Sequence, residues 1–321
     1  MQTTEKIWRN GTFVPWEQAQ VHILTHALHY GTGVFEGIRA YETDRGTAVF
    51  RLSDHLERLR RSAALYEMDL GYSTAELTAA VHDTIAQNSI GSCYIRPIVF
   101  RGYGPMGLYP GDNPVDVAIA VWPWGAYLGE EALEHGVRCK VSSFRRIGPN
   151  TLPPAAKATG QYINSVLAKL EASRCGYDEA ILLNSAGMVA EGPGENIFRV
   201  KAGVVSTPPA SSGILRGVTR DTVMRFVRDE GLAFQRTDFT REELFTADEV
   251  FFSGTAVGLT PVREIDGRPI GTGDYPITRL LQRRYDDAIR GRRAEYRDWL
   301  TPVPLAPTVH GPRNPHAARA F

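Results

Sequence analysis

The sequence predicts a mixed α+β protein of two domains, and three observations carry that expectation. The chain has 321 residues, where a single domain typically has about 150. Short β-branched and aromatic runs interleave irregularly with segments of helical apolar spacing. The stretch Pro123-Trp124-Gly125-Ala126-Tyr127-Leu128-Gly129 breaks that pattern and reads as a domain junction. The expected division is residues 1–122 as a small N-terminal α+β domain, 123–130 as linker, 131–300 as a larger domain and 301–321 as an irregular tail rich in proline.

Taken in order, Asn10-Gly11 between Ile7-Trp8 and Thr12-Phe13-Val14 is a hairpin signal. Strands are expected at Phe35 to Tyr41 and Ala48 to Leu52, around the turn Asp44-Arg45-Gly46. Ser53 opens a helix with Leu56, Leu59, Ala63 and Tyr66 on one face. Ser73 with Glu76 three residues on is a capping box, and the helix runs to about Asn88. Strands follow at Cys93 to Arg101 and Val115 to Trp122. Beyond the junction, strands are expected at 137–144, 179–184, 195–200 and 249–253, with helices near 159–175, 219–230, 241–246 and 276–290.

Composition removes several function classes. Lys plus Arg and Asp plus Glu both number 36, so the basic excess of a phosphate-gripping nucleic-acid binder is missing. The N-terminal residues lack the apolar segment of a secretory signal, and apolar runs such as Val117 to Trp122 fall far short of the ~20 residues that span a membrane. Cys93, Cys139 and Cys175 are scattered and fit reduced thiols, so a cytoplasmic location is expected. Only five of the basic residues are lysines: Lys6, Lys140, Lys157, Lys169 and Lys201.

Three motifs fail on context. Gly102-Tyr-Gly104-Pro-Met-Gly107 has the letters of a dinucleotide fingerprint, but Leu108-Tyr109-Pro110-Gly111 follows where a helix must open. His22, His26 and His29 lack a carboxylate at helical spacing, so no metal is expected there. Neither a Gly-Lys dipeptide nor a GxSxG occurs, which removes the P-loop and the common nucleophile elbow.

Among the lysines, Lys157 stands apart. Lys6 is in a polar arm, Lys140 faces outward from a strand, Lys169 is mid-helix and able to snorkel, and Lys201 opens a hairpin turn. Lys157 lies in Leu152-Pro-Pro-Ala-Ala-Lys157-Ala-Thr-Gly160, among small side chains that leave space around its amine. An amine with little polar company becomes a usable nucleophile, because such surroundings disfavour its charged form. Glu191-Gly-Pro-Gly194-Glu195-Asn196 sets a carboxylate in a turn ahead of a strand. Gly213 to Gly217 run into a helix at Val218-Thr219, where exposed amides suit a phosphate, and Ser253-Gly254-Thr255-Ala256 offers a second set of turn amides. Amine, acid and anion cradle together meet the needs of pyridoxal phosphate.

With these residues in hand, the chain resembles a branched-chain amino-acid aminotransferase, a class IV aminotransferase of pyridoxal-phosphate fold type IV. The resemblance rests on His26-Ala-Leu-His-Tyr30-Gly-Thr-Gly-Val-Phe35-Glu-Gly-Ile-Arg39, Tyr94-Ile-Arg96-Pro97, Pro123-Trp124-Gly-Ala-Tyr127-Leu-Gly129, Ala156-Lys157-Ala, Glu191 to Asn196, Gly217-Val-Thr-Arg220 and Ser253 to Ala256. These appear in the family's order across residues 7 to 290. It implies a small α/β domain followed by a larger domain with a β-barrel-like core.

The resemblance also implies roles. Lys157 carries pyridoxal 5′-phosphate and shuttles the substrate proton, and Glu191 keeps the pyridine nitrogen protonated. Arg58, which read alone is a solvated helix charge, binds phosphate together with Gly217, Val218, Thr219 and Thr255; Tyr162 meets the phenolic oxygen. Phe35, Trp124, Tyr127 and Tyr162 form apolar walls, and Tyr30 and Leu108 reach in from a second copy, which implies a homodimer or larger assembly. Tyr94, Thr255 and Ala256 hold the α-carboxylate, and Arg96 the distal carboxylate of glutamate. The implied reaction passes the amino group of L-leucine, L-isoleucine or L-valine to 2-oxoglutarate. The alternatives on the same scaffold are a D-amino acid or (R)-amine transaminase, or an aminodeoxychorismate-type lyase. Leu215-Arg216-Gly217 departs from the family pattern.

Overall fold

The computed structural model describes residues 2–125 and 128–304. The elements, in chain order, are β1 (Lys6–Arg9), β2 (Thr12–Pro15), α1 (His26–Tyr30), β3 (Gly33–Phe35), β4 (Ile38–Thr43), β5 (Gly46–Phe50), α2 (Leu52–Ala64), α3 (Thr74–Gln87), β6 (Cys93–Arg101) and β7 (Val115–Trp122). Then come α4 (Glu130–His135), β8 (Val137–Arg145), α5 (Tyr162–Arg174), β9 (Glu179–Leu183), β10 (Val189–Glu191), β11 (Asn196–Lys201), β12 (Val204–Thr207) and α6 (Val218–Asp229). The last are β13 (Ala233–Arg236), α7 (Arg241–Phe245), β14 (Glu249–Gly254), β15 (Gly258–Ile265), β16 (Arg268–Pro269), α8 (Pro276–Ile289) and β17 (Leu300–Pro302).

Two compact units result. The first holds the chain up to Trp124, the short segment Ala156–Gly160, and Ile289 to the end of the described residues; the second holds Gly125–Ala155 and Gln161–Ala288. The expected division of 1–122 and 131–300 therefore needs amendment, because the segment bearing Lys157 folds with the first unit. The expected tail also begins in regular structure, since β17 pairs antiparallel with β5. Residues 305–321 lie outside the described residues.

In the first unit the sheet runs β17-β5-β4-β6-β7-β1-β2, with β3 on β6. Alternate residues of β6 and β7 (Cys93, Ile95, Val99; Val117, Ile119, Val121) share one buried cluster with Leu56, Leu59 and Ala63 of α2 and Leu77, Val81 and Ile85 of α3. This is the period-two strand against the i, i+3, i+4 helix stripe, each large side chain adding about 1.5–3 kcal/mol of apolar burial. Both halves of the Ser73–Glu76 capping box form. The expected strand Phe35 to Tyr41 is broken between β3 and β4, where the Glu36 carboxylate turns inward toward His55 and Arg58 of α2.

The second unit is a closed barrel. Strands β10-β9-β8-β15-β14-β11 pair in sequence and β11 pairs back to β10, while β12 and β13 extend β11 outward. Closure removes the sheet edges that would otherwise invite pairing. The interior is filled by Val137, Cys139, Val141, Ile181, Val189, Ile197, Val250, Phe252 and Val262 among others. Helix α5 lies with Ser165, Ala168 and Ala172 buried, and leaves Ile163, Val166, Leu167 and Leu170 exposed.

Candidate active site

Lys157 owes its place to its neighbours. Ala156 and Ala158 are both buried in the first unit's core, and Val34 bridges Ala158 in an antiparallel pair. Extended backbone sends alternate side chains to opposite sides, so burying both alanines turns Lys157 away from that core. The small residues therefore act by being packed, rather than by leaving open space as the sequence suggested. Lys157 N–H donates to Ser62 Oγ (3.0 Å) and its carbonyl accepts from Phe35 N–H (3.0 Å). Gly160 N–H donates to Gly31 O (3.2 Å). Gly31 sits at φ 65°, and a Cβ there would lie 2.8 Å from Gly160 Cα, so glycine is required.

The same unit gathers aromatic rings around two cations. Lys157 Nζ lies 5.0 Å from the Phe35 ring centroid, and the Arg96 guanidinium lies 4.8 Å from the same ring. Arg96 also stands over Tyr94 (5.3 Å) and Trp122 (5.8 Å), with its Nη2 donating to Tyr94 Oη at 3.4 Å. Tyr94 packs on Trp122 and Trp124 at 5.1 and 5.0 Å between centroids. Such faces hold a guanidinium while leaving its donors for a carboxylate. Gly37 makes room for Tyr94, since a Cβ there would lie 1.9 Å from the hydroxyl.

Arg58 is buried, contrary to the solvated helix charge that its local sequence suggests. Glu36, with no exposed surface, accepts Arg58 Nε at 2.6 Å and Nη2 at 2.8 Å, and meets His55 Nδ1 at 2.8 Å. Burial alone would raise the Glu36 carboxyl, but Arg58 and then His55 outweigh it and hold the group far below the usual carboxylate range. His55 is lowered from the ordinary histidine value by burial, against the opposing pull of Glu36.

The second unit carries Glu191 and the N-terminus of α6. Glu191 ends β10 and is buried; its Oε1 accepts Arg146 Nε at 2.7 Å, and its Oε2 accepts Asn196 Nδ2 at 2.9 Å and Leu215 N–H at 3.0 Å. Helix α6 begins after Gly217 with no side-chain cap, and a Cβ on Gly217 would lie 2.1 Å from Asn196 Oδ1. An uncapped N-terminus of a twelve-residue helix, closed to a side chain at its cap, fits the phosphate of pyridoxal phosphate. The buried Ser253 Oγ at the head of the Ser253 to Ala256 turn has no hydrogen-bond partner among the described residues, so this turn too has polar capacity for a ligand. Arg220, also buried on α6, donates to Thr207 Oγ1 and Pro208 O, and its pKa falls to about 10, chiefly through burial.

Behind Glu191 lies a second acidic group. Glu195 is buried and accepts the Gly194 N–H at 3.0 Å; burial first and Glu179 second push its carboxyl up to about 8. Glu179 is also raised by burial and is held by Lys169, whose Nζ lies 2.7 Å away. Lys169, itself partly exposed, is thus the counter-ion of a buried carboxylate rather than a bland surface residue.

The first unit brings together Phe35, Arg58, Tyr94, Arg96, Trp124 and Lys157, and the second carries Tyr162, Glu191, Gly217, Val218, Thr219, Thr255 and Ala256. Tyr30 and Leu108 are exposed. Tyr127 lies outside the described residues. Both His26 ring nitrogens are engaged, by Thr32 Oγ1 and Gly107 O at 2.8 Å each, which accounts for that histidine structurally. No role was expected of Glu36, His55, Arg146 or Arg220, because only tertiary contacts reveal what they do, although Glu36 and Arg220 stood inside quoted motifs. Asn196 stood inside a recognised motif, and its position opposite Glu191 across a four-residue turn was the available signal.

The model of the family described as amino-transferase class IV matches residues 33–265. This is more than half of the chain, and the chain belongs to the class IV aminotransferase family. Within that family its likeness is to branched-chain enzymes. It is 47% identical to the branched-chain-amino-acid aminotransferase of Salmonella typhimurium, over 94% of this chain and 99% of that protein. It is 46% identical to the Escherichia coli K12 enzyme of the same name, again over 94% and 99%. The crystal structure of the Escherichia coli branched-chain amino acid aminotransferase superposes with a TM-score of 0.92 at 46% identity, covering 94% of this chain and all of the other. The branched-chain amino acid aminotransferase of Thermobaculum terrenum, in its holo form with PLP, gives a TM-score of 0.89 at 36% identity, covering 95% of this chain and all of the other.

Proposed function

We propose that this aminotransferase passes the amino group of L-leucine, L-isoleucine or L-valine to 2-oxoglutarate, with pyridoxal 5′-phosphate as cofactor. The observation that carries the substrate assignment is the Phe35 ring, which shares one aromatic wall between the Lys157 amine and the Arg96 guanidinium. An apolar wall suits a branched aliphatic side chain, and a guanidinium stacked on it suits the distal carboxylate of glutamate.

Bound cofactor supplies an electron sink that lets the substrate Cα–H bond ionise. Lys157 Nζ would hold the cofactor and, once freed by the substrate amine, would move the proton between the substrate Cα and the cofactor C4′. Glu191 would keep the ring nitrogen protonated, Tyr162 would meet the phenolic oxygen, and Arg58, the Gly217-Val218-Thr219 amides and Thr255 would bind phosphate. Tyr94 and the Thr255 and Ala256 amides would orient the α-carboxylate, and Trp124 and Tyr162, with Tyr127 by resemblance, are assigned to the apolar walls. Tyr30 and Leu108 serve the site of a second copy. The exposure of Tyr30, Leu28, Tyr103, Leu108 and Tyr109 supports a homodimer or larger assembly. No helix among the described residues is long and apolar enough to cross a membrane; a cytoplasmic location accords with the scattered cysteines. The lyase, D-amino acid and (R)-amine alternatives are not favoured, given the branched-chain relatives.

The deciding measurement is the visible spectrum of the holoenzyme on addition of L-leucine, D-alanine or (R)-1-phenylethylamine, with borohydride trapping and peptide mass analysis. L-Leucine alone is expected to bleach the band, and the adduct to map to Lys157. Lys157→Ala is expected to abolish transamination. A trapped adduct elsewhere, or parental turnover by the variant, removes the assignment.

A further inference from the structure

Glu191 is gripped by residues to which the family pattern assigned no role. Arg146 stands one residue beyond β8, its backbone N–H donating to Leu183 O at 2.8 Å. Its side chain is buried, and its Nε fixes Glu191 Oε1 at 2.7 Å. Asn196 is the residue opposite Glu191 in the β10–β11 pair. Its Nδ2 serves both Glu191 Oε2 and Leu215 O, each at 2.9 Å, and its Oδ1 faces the space a Gly217 side chain would need. Both carboxylate oxygens are therefore oriented, and one amide joins that carboxylate to the loop that opens α6.

We propose that Arg146 and Asn196 are positioning residues for transamination: Arg146 keeps Glu191 ionised and aimed, and Asn196 couples it to the phosphate-binding end of α6. This rests on Glu191 being the partner of the cofactor's ring nitrogen. In a buried site a lone carboxylate facing a ring N–H cation can relax to two neutral groups by taking the proton, because low polarity disfavours both charges. A guanidinium on Oε1 opposes that relaxation, since protonating Glu191 would leave Arg146 buried without its counter-charge. The proton then stays on the ring nitrogen, where it makes the ring an acceptor of electron density. Asn196 acts on geometry instead, because the amide that orients Oε2 also sets the Leu215–Gly217 backbone.

The test uses holoenzyme and apoenzyme of Arg146→Met, Arg146→Lys, Asn196→Ala and Glu191→Gln. For Arg146→Met the pH titration of the bound cofactor's absorbance is expected to shift. Its kcat should fall by about tenfold or more, while KM for L-leucine and 2-oxoglutarate stays within about twofold. Arg146→Lys retains the charge and is expected to restore much of the titration and of kcat. For Asn196→Ala the dissociation constant of pyridoxal phosphate from the apoenzyme, by equilibrium dialysis, is expected to rise about tenfold. Parental titration and kcat in Arg146→Met overturn the Arg146 role, and parental cofactor affinity in Asn196→Ala overturns the coupling. If Arg146→Met does not fold, Arg146→Lys carries the test: losses as large as those of Glu191→Gln in that variant refute the charge argument. Glu191→Gln separates the two levels. If it alters the spectrum while Arg146→Met does not, only this inference fails; if it alters nothing, the reading of Glu191 fails with it.

Discussion

Glu36 in the first unit and Glu195 in the second are both buried carboxyl groups, and they ionise in opposite directions. Glu36 lies between Arg58 and His55 and is held as an anion despite burial. Glu195 has a backbone amide at 3.0 Å and two other buried glutamates, Glu179 and Glu191, acting on it, and rises to about 8. Burial is common to both, so the neighbours decide. The first unit spends its acid on fixing a cation, whereas the second carries more buried acid than its cations neutralise.

Removing the acid from the first unit should break the contrast most severely. Glu36→Ala leaves Arg58 and His55 buried without their counter-ion, with an expected loss of about 3–5 kcal/mol in denaturant unfolding. A loss below about 1 kcal/mol would mean that the cluster is not a linked unit. In the second unit, Gly217→Ala pushes a methyl onto Asn196 Oδ1 and is expected to cost about 1–3 kcal/mol, with weaker binding of pyridoxal phosphate. Parental cofactor affinity in that variant would separate Gly217 from the cradle.

Acidity gives a third, smaller effect with opposite signs in the two regions. Glu195 rises from the ordinary 4.5 to about 8, so the folded state holds a proton that the unfolded chain releases. Its contribution is full below pH 4.5 and is lost as pH climbs through about 8. Glu36 is lowered, so its contribution is full above pH 4.5 and fades as acid protonates it; His55, lowered from 6.5, fades in the same direction. Thermal unfolding scanned across pH should show the alkaline slope vanish in Glu195→Gln, with a change of under about 1 kcal/mol at pH 6. Identical slopes in parent and variant would refute the neutral state of Glu195. Smallest of all in reach is Arg96→Ala, expected to raise KM for glutamate and 2-oxoglutarate while sparing leucine, and equal losses would end its assigned role.

Legibility in the sequence followed locality. Cys93–Arg101 and Val115–Trp122 were readable because apolar alternation and flanking turns lie within each run. The Ser73 helix start was readable because its cap is four residues long. By contrast β15 was not among the expected strands; it carries Pro261, a residue uncommon inside sheets, which here lies buried opposite Phe251 in the barrel wall. Strands β10, β12 and β13 have three or four residues, too few for a period to register. Lys157 was singled out by its unusual company, whereas His55 and Glu36 look like ordinary polar residues of a helix and a strand until the fold brings Glu36 to His55 and Arg58.

The five residues Ala156–Gly160 are flanked along the chain by segments of the second unit, yet fold with the first. No single cut in the gene can therefore yield two autonomous fragments. A product ending near Trp124 lacks Lys157, and one beginning near Gly125 carries it without Val34, Phe35 and Ser62 to seat its segment. Newly made chain can seat Ala156–Gly160 once that segment emerges, but the first unit is whole only when the residues from Ile289 onward follow the entire second unit.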